Sequence, residues 1–271
     1  MDSIQIALLA LVQGLTEFLP ISSSGHLILT PLLFGYELQT LSFDVAVHLG
    51  TLGAVIFYFR RDLITLATAM LGSIKSRGMA SRDARLGWMI VIATLPLLVL
   101  GLPLKQMLEL LRQDDHLIAL VIASTSIGFG LLLWYADIRG RRKRDEYSVN
   151  WIGALIIGCF QAIAIIPGTS RSGITMTAGL FLGLTRHAAS RFSFLISIPT
   201  IVLAGTTATK DLLETSERID WYALGLGALL SFVVAYLTIR LFLRFIERIS
   251  MFPFVLYRVL LGGAILALVL M

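Results

Sequence analysis

The sequence predicts an all-α polytopic membrane protein, with six transmembrane helices plus two re-entrant helix hairpins arranged as an inverted-topology repeat. Three observations carry this expectation. Hydrophobic residues make up 57% and charged residues 14% of the 271 positions, with a mean hydropathy of +0.86. That leaves too little polar surface to cover a soluble globule of this length. Several apolar runs are long enough to cross a hydrocarbon core of about 30 Å, which takes about 20 residues of helix. Two further runs stop short at a proline and a Ser/Gly-rich turn, and each is followed by another short apolar run.

The first short run, residues 4 to 19, ends at Pro20, and the second, residues 151 to 166, ends at Pro167. Unwound backbone at membrane depth is tolerated only where protein buries it or water reaches it. Each run therefore reads as a half-helix that enters, turns and returns. Ordinary spans fall at 41 to 59, 86 to 104, 117 to 135, 192 to 209, 221 to 239 and 253 to 271. Gln13 to Ser23 resembles Gln161 to Ser170 with one residue of slippage, each serine standing three positions after a proline. Phe43 to Thr51 is echoed by Phe192 to Thr200. The expectation is a single membrane domain, 1 to 271, of two halves near 1 to 135 and 151 to 271, joined by a basic linker at 136 to 150.

Charge orients the halves. Residues 60 to 85 carry Arg60, Arg61, Lys75, Arg77, Arg82 and Arg85, and the linker carries Arg139, Arg141, Arg142, Lys143 and Arg144. Both segments are assigned to the cytoplasm, with Arg186, Arg191, Arg240, Arg244 and Arg248 on the same side. Residues 105 to 116 and 210 to 220, where acids balance the bases, fall outside with both termini. Three crossings per half then leave the halves oppositely oriented, with the two turns meeting near the midplane. Trp88, Trp134, Trp151 and Trp221 stand near span ends, as an interfacial belt requires. The net charge of +5 lies in clusters between spans, which topology explains and a nucleic-acid partner does not. The single cysteine, Cys159, packs as a small hydrophobe and offers neither a disulfide framework nor a thiol metal site. Met1-Asp2-Ser3 has no basic lead-in, so the first run is not read as a signal peptide.

The two turns concentrate the ionisable groups. Gln13 and Glu17, four residues apart, share one helix face. A charge near the bilayer centre costs about 2.5–3.5 kcal/mol on insertion scales, so such a group is a functional candidate by default. Ser22, Ser23 and Ser24 cap the next half-helix and leave its first N–H groups facing the turn, an anion site reinforced by the helix dipole. His26 follows one turn in. The second turn, Pro167-Gly168-Thr169-Ser170-Arg171-Ser172-Gly173, adds another hydroxyl-lined helix start and a guanidinium that grips phosphate oxygens bidentately. A Ser/Gly/Pro turn alone is ordinarily only a turn with a cap. Convergence of Glu, His, Arg and hydroxyls on two facing turns describes a phosphate pocket. Asp44 and His48 either line the same cavity or snorkel outward from a helix end, and Arg258 reads as structural or interfacial.

The stretch from Gln13-Gly14-Leu15-Thr16-Glu17 through Pro20-Ile21-Ser22-Ser23-Ser24-Gly25-His26, together with Pro167-Gly168-Thr169-Ser170-Arg171-Ser172-Gly173-Ile174-Thr175, resembles the paired signature of bacterial undecaprenyl-diphosphate phosphatases, the bacitracin-resistance family. Motif separation, length and span pattern agree over essentially the whole chain. The resemblance implies removal of the terminal phosphate from undecaprenyl diphosphate released by peptidoglycan and other wall-polymer assembly, which regenerates the lipid carrier. It further implies a divalent cation, Mg²⁺ or Ca²⁺, and a bacterial cytoplasmic (inner) membrane location with the pocket facing the periplasm; Glu17 then either binds that cation or orients a base. Partners are then the polyprenyl diphosphate and membrane lipids, with a homodimer allowed. The family's first motif position is often Glu, and Gln13 here leaves Glu17 the sole acid of its turn.

On this reading Glu17, Ser23, His26 and Arg171 are catalytic. Gln13, Ser22, Ser24, Gly25, Gly168, Thr169, Ser170 and Ser172 bind the substrate's phosphates. Ser23 is the nucleophile with His26 as base, or else His26 itself or a water it activates attacks. A transporter or flippase of a phosphorylated lipid or anion is the rival class, because inverted repeats with re-entrant turns are a transporter plan. A carrier needs Arg171 but not the neighbouring Ser23 and His26.

Overall fold

In the computed structural model, residues 1–76, 81–111, 115–213 and 220–270 are described. Among them the chain is helical, and the sole β feature is an isolated bridge between Arg144 and Leu184. The helices are α1 (Ser3–Thr16), α2 (Ser23–Phe34), α3 (Leu41–Tyr58), α4 (Arg60–Lys75), α5 (Arg82–Leu111), α6 (Asp115–Arg139), α7 (Trp151–Ile163), α8 (Arg171–Phe181), α9 (Arg186–Leu213), α10 (Trp221–Phe245) and α11 (Phe252–Leu270). Side-chain caps set several starts. Asp2 accepts from the N–H of Gln5 at 2.6 Å, Asn150 from Gly153 at 2.8 Å and Asp220 from Ala223 at 3.1 Å, each satisfying a donor that the first helical turn leaves free.

Six helices are long and apolar enough to cross a membrane: Leu41–Tyr58, Arg82–Gly101, His116–Arg139, Arg186–Thr206, Trp221–Phe245 and Phe252–Val269. They coincide with the six spans expected. The helices overrun the apolar runs at their polar ends, so α5 and α9 extend to Leu111 and Leu213 through stretches expected to be loops. Arg77, Arg112, Asp114, Glu214, Glu217 and Arg218, which carried part of the charge argument, lie outside the described residues.

The segment 60 to 75, expected to be loop, is helix α4. Leu66 is buried on its inner face, Met70 lies so close to α5 that a Cβ on Gly87 would stand 2.4 Å from its sulfur, and Trp88 donates to Ser73 Oγ at 3.0 Å. Trp88 thus serves packing, whereas Trp134, Trp151 and Trp221 are exposed. Cys159 is exposed on α7 rather than packed inside.

Corresponding elements make corresponding contacts. The short helix α1 packs on α10 as α7 packs on α5, α1 pairs with α2 as α7 pairs with α8, and α3 lies on α9 while α6 lies on α11. Small residues allow the close crossings, as between membrane helices generally. A Cβ on Gly50 of α3 would fall 2.2 Å from the Ala228 carbonyl oxygen of α10. The helix pairs α1–α2 and α7–α8 bring their turns together inside the bundle, the arrangement a re-entrant hairpin requires.

Charges assigned to one membrane face do meet on one end of the bundle. Arg82 pairs with Asp145 at 2.7 Å, Arg191 bridges Asp62 and Glu146, and the N–H of His187 donates to Glu247 at 2.9 Å. Arg186 forks onto both oxygens of Asp137, at 2.6 and 3.0 Å, and the N–H of Met251 donates to the same carboxylate at 3.1 Å. Asp137 is 3% exposed, so truncating it strands a buried guanidinium. Asp137→Ala is expected to destabilise the protein by about 3–5 kcal/mol, read as a lowered melting temperature in detergent.

Candidate active site

The site is built on two turns of the same construction. α1 ends at Thr16, Glu17 continues it by one hydrogen bond from its N–H to the Gln13 carbonyl at 3.0 Å, and α2 starts at Ser23. α7 ends at Ile163 and α8 starts at Arg171. The residue before each second helix is a serine with positive φ: Ser22 at φ 75°, ψ 94° and Ser170 at φ 68°, ψ 108°. Such backbone is strained for a residue with a side chain and persists only where the surroundings impose it. The conformations match Ser22 with Ser170, so Ser22-Ser23-Ser24-Gly25 corresponds to Ser170-Arg171-Ser172-Gly173. The slippage falls at the prolines instead of at the serines. Gly168, at φ 82°, is required, since a Cβ there would stand 2.5 Å from the Ile122 carbonyl oxygen.

Glu17 is the hub on which both turns converge. Its Oε2 accepts from Ser23 Oγ at 2.6 Å and from Gln13 Nε2 at 3.0 Å, and its Oε1 accepts from Arg171 Nη2 at 3.1 Å. His48 Nε2 lies 3.8 Å from Oε2. The Glu17 side chain is 7% exposed and that of Arg171 13%, so the pair is shielded from bulk water and electrostatically strong. Ser172 Oγ donates across to the Leu19 carbonyl at 2.8 Å, and Phe18, fully buried, meets Phe194 of α9 edge to face at 5.2 Å. These contacts hold the first turn against the second.

A cavity of about 490 Å³ opens over this hub, within the range of about 300–1,000 Å³ usual for small-molecule sites. Glu17, Ser22, Ser23, Ser24, Ser170 and Arg171 form its polar floor, and α3 and α9 supply an apolar wall from Leu41, Val45, Leu49, Ile201 and Ala204. Asp44 and His48 also line it, which decides between the two readings of that pair. The His48 Nδ1 lies 2.7 Å from the Asp44 carbonyl. A carbonyl only accepts, so Nδ1 donates to it, and this hydrogen bond turns the Nε2 edge of the ring toward Glu17.

The remaining expected residues surround the cavity without lining it. Gln13 supports Glu17, Gly168 makes the turn, Ser172 joins the turns, Gly25 lies buried in the first turn of α2, and Thr169 is fully buried behind the floor. His26 points away from Ser23. Its Nδ1 is 2.7 Å from the Ser22 carbonyl and its Nε2 2.6 Å from the Tyr257 hydroxyl of α11, with the rings stacked at 5.5 Å. The structure therefore brings together Gln13, Glu17, Ser23 and Arg171, and places Glu17 at the serine hydroxyl where His26 was expected. Tyr257 went unnoticed in the sequence because nothing local links it to a histidine 231 positions away.

Among the described residues, no three His, Cys, Asp or Glu side chains converge on a point that would hold a metal ion. Both Glu17 oxygens already accept hydrogen bonds, one of them from a guanidinium. This donor set does not fit a resident Mg²⁺ or Ca²⁺.

Comparison with known proteins places this geometry in a family. Residues 6–264 match the model of the bacitracin resistance protein BacA family. The chain is 53% identical over 271 residues to undecaprenyl-diphosphatase 2 of Stutzerimonas stutzeri (strain A1501), covering 99% of this chain and 98% of that one. It is also 53% identical to undecaprenyl-diphosphatase 1 of Pseudoalteromonas translucida (strain TAC 125) and to undecaprenyl-diphosphatase of Nitrosococcus oceani, in both cases over 97% of each chain. A match over nearly the whole length, motifs and spans included, makes the chain a member of the bacitracin resistance protein BacA family.

Proposed function

We propose that this protein hydrolyses undecaprenyl diphosphate to undecaprenyl phosphate and inorganic phosphate, the activity its relatives are named for. The observation that carries this reading is the meeting of Ser23 and Arg171 on one carboxylate, at the N-terminal ends of two helices. The terminal phosphate sits over the cavity floor, where first-turn N–H groups of α2 and α8 lack intrahelical partners and favour an anion. The prenyl chain runs out along the apolar wall of α3 and α9. Any Mg²⁺ or Ca²⁺ would enter as a counter-ion of the substrate's phosphates and not as a resident ligand of Glu17.

Without substrate the Arg171 guanidinium is held by Glu17. An incoming diphosphate competes for the guanidinium, and its transfer leaves the carboxylate a better base. Ser23 Oγ then attacks the terminal phosphorus, its proton passes to Glu17 Oε2, and the bond to the bridging oxygen breaks to release undecaprenyl phosphate. Arg171 and the helix N-termini stabilise the charge on the transferring phosphoryl oxygens, the main task in such a reaction. Glu17 gives that proton up to the departing phosphate and, a carboxylate again, deprotonates the water that attacks the phosphoserine; the Ser23 Oγ–P bond breaks, the proton returns from Glu17 to Ser23 Oγ and inorganic phosphate leaves. His26 acts as base at Ser23 only after leaving Ser22 and Tyr257. In this arrangement it anchors the turn that presents Ser23. Both turns belong to one chain, so the reaction requires no second copy.

Orientation follows from the ends of α3. The cavity is lined from its start, at Leu41 to Leu49, whereas its other end leads directly into the Arg60 and Arg61 of α4. Positive-inside topology puts those arginines in the cytoplasm. The cavity accordingly faces the periplasm from the bacterial cytoplasmic membrane, the side on which wall polymerisation releases the diphosphate.

Phosphate release from a prenyl diphosphate by purified protein tests the reading. Glu17→Gln is expected to lower kcat by about 10²–10⁴-fold, as removal of a general base does, and Arg171→Ala by about 10²–10³-fold. Ser23→Ala is expected to fall at least as far as Glu17→Gln. Turnover unchanged in all three would refute the site, and no release by the unaltered protein would favour transport.

A further inference from the structure

Arg258 is fully buried, at 0% exposure, in the second turn of the apolar helix α11, where a charge is costly. Its guanidinium donates to the carbonyls of Ser126 at 3.1 Å, Pro20 at 3.3 Å, Thr125 at 3.3 Å, Gly168 at 3.0 Å and Thr169 at 2.9 Å. Pro20 belongs to the first turn, Gly168 and Thr169 to the second, and Thr125 and Ser126 to α6. Among the described residues no carboxylate pairs with it. Its Nη1 also lies under the start of α8, 2.9 Å from where a Cβ on Gly173 would stand.

We propose that Arg258 is a positioning residue for the phosphate site, clamping the two turns at a fixed separation and holding an uncancelled positive charge behind them. The inference rests on the hydrolase reading for its substrate, but its electrostatic part concerns anion binding alone. A planar fork with five N–H donors can reach carbonyls on three chain segments at once, and an ammonium with three donors at one point cannot. The clamp fixes how far Arg171 stands from Ser23, and phosphoryl transfer depends on that placement. The charge is separated from the substrate by one layer of backbone in a water-poor interior. There it favours a diphosphate, and the transition state that spreads its charge, without touching either.

The test compares wild type, Arg258→Lys, Arg258→Met, Arg171→Ala and the double variant Arg171→Ala/Arg258→Lys in detergent. Each is checked for folding by melting temperature and size exclusion. Phosphate release from a prenyl diphosphate gives kcat and KM per folded molecule, and inorganic pyrophosphate is titrated separately as a binding probe. Arg258→Lys, which keeps the charge and loses the fork, is expected to lower kcat about tenfold or more with pyrophosphate affinity within a few-fold of wild type. In the double variant the second substitution is expected to cost far less than it does alone, because both residues act through the same turn. Arg258→Met is expected to weaken pyrophosphate binding about tenfold or more.

A purely architectural arginine would leave kcat per folded Arg258→Lys molecule at the wild-type value, or give losses that multiply in the double variant. Either result overturns the proposal, as does unaltered pyrophosphate affinity in Arg258→Met. Should the methionine variant fail to fold, the lysine and double variants decide the matter. Wild type that binds pyrophosphate, loses it in Arg258→Met and releases no phosphate would retire the hydrolase reading while keeping the buried charge.

Discussion

Breaking a helix inside a membrane protein strands backbone groups that water cannot reach, and this structure breaks two. The carbonyls freed at Pro20, Gly168 and Thr169 all turn to one guanidinium, Arg258, which also takes those of Thr125 and Ser126 on α6. Each orphaned carbonyl would otherwise cost on the order of 1–3 kcal/mol, more than a marginally stable fold tolerates in number. With the acceptors gathered on the far side of the turns, the donors of α2 and α8 are left facing the cavity. The same backbone defect that burdens stability thus creates the anion site.

Two turns of like construction have diverged in side chain. Ser22 and Ser170 share a strained backbone, yet the next residue is a hydroxyl in one turn, Ser23, and a cation in the other, Arg171. Four residues after Gln13 stands Glu17, whereas four after Gln161 stands Ile165. The amide of Gln161 is buried with neither atom partnered among the described residues, while the amide nitrogen of Gln13 binds Glu17. Symmetry therefore supplies the frame, two helix starts aimed at one volume, and its loss supplies the chemistry. In the proposed mechanism the nucleophile and its base come from the first turn and the phosphate-gripping cation from the second.

Much of this was legible in the order of residues, for identifiable reasons. Span length and hydropathy located the crossings, proline followed by serine and glycine located the turns, and the four-residue spacing of Gln13 and Glu17 put them on one face. The helix α4 was hidden because its arginines and aspartate mask an apolar period ending at Leu66 and Met70. His48 was ambiguous because whether a helix face borders a cavity depends on α9, far along the chain. The partners of His26 and Arg258 were invisible for the same reason: a hydrogen bond spanning 231 or 238 positions leaves no local trace. Arg258 was noticeable only as an expense without a stated purpose.

The proposed mechanism turns on covalent chemistry at Ser23, whose hydroxyl donates to the Glu17 carboxylate at 2.6 Å. Rapid quenching of the protein during turnover of a ³²P-labelled prenyl diphosphate, followed by peptide mass spectrometry, reads that chemistry directly. Acid-stable phosphate on Ser23 is the expected result. Acid-labile phosphate on His26, with Ser23 unmodified, would rule out Ser23 as the nucleophile.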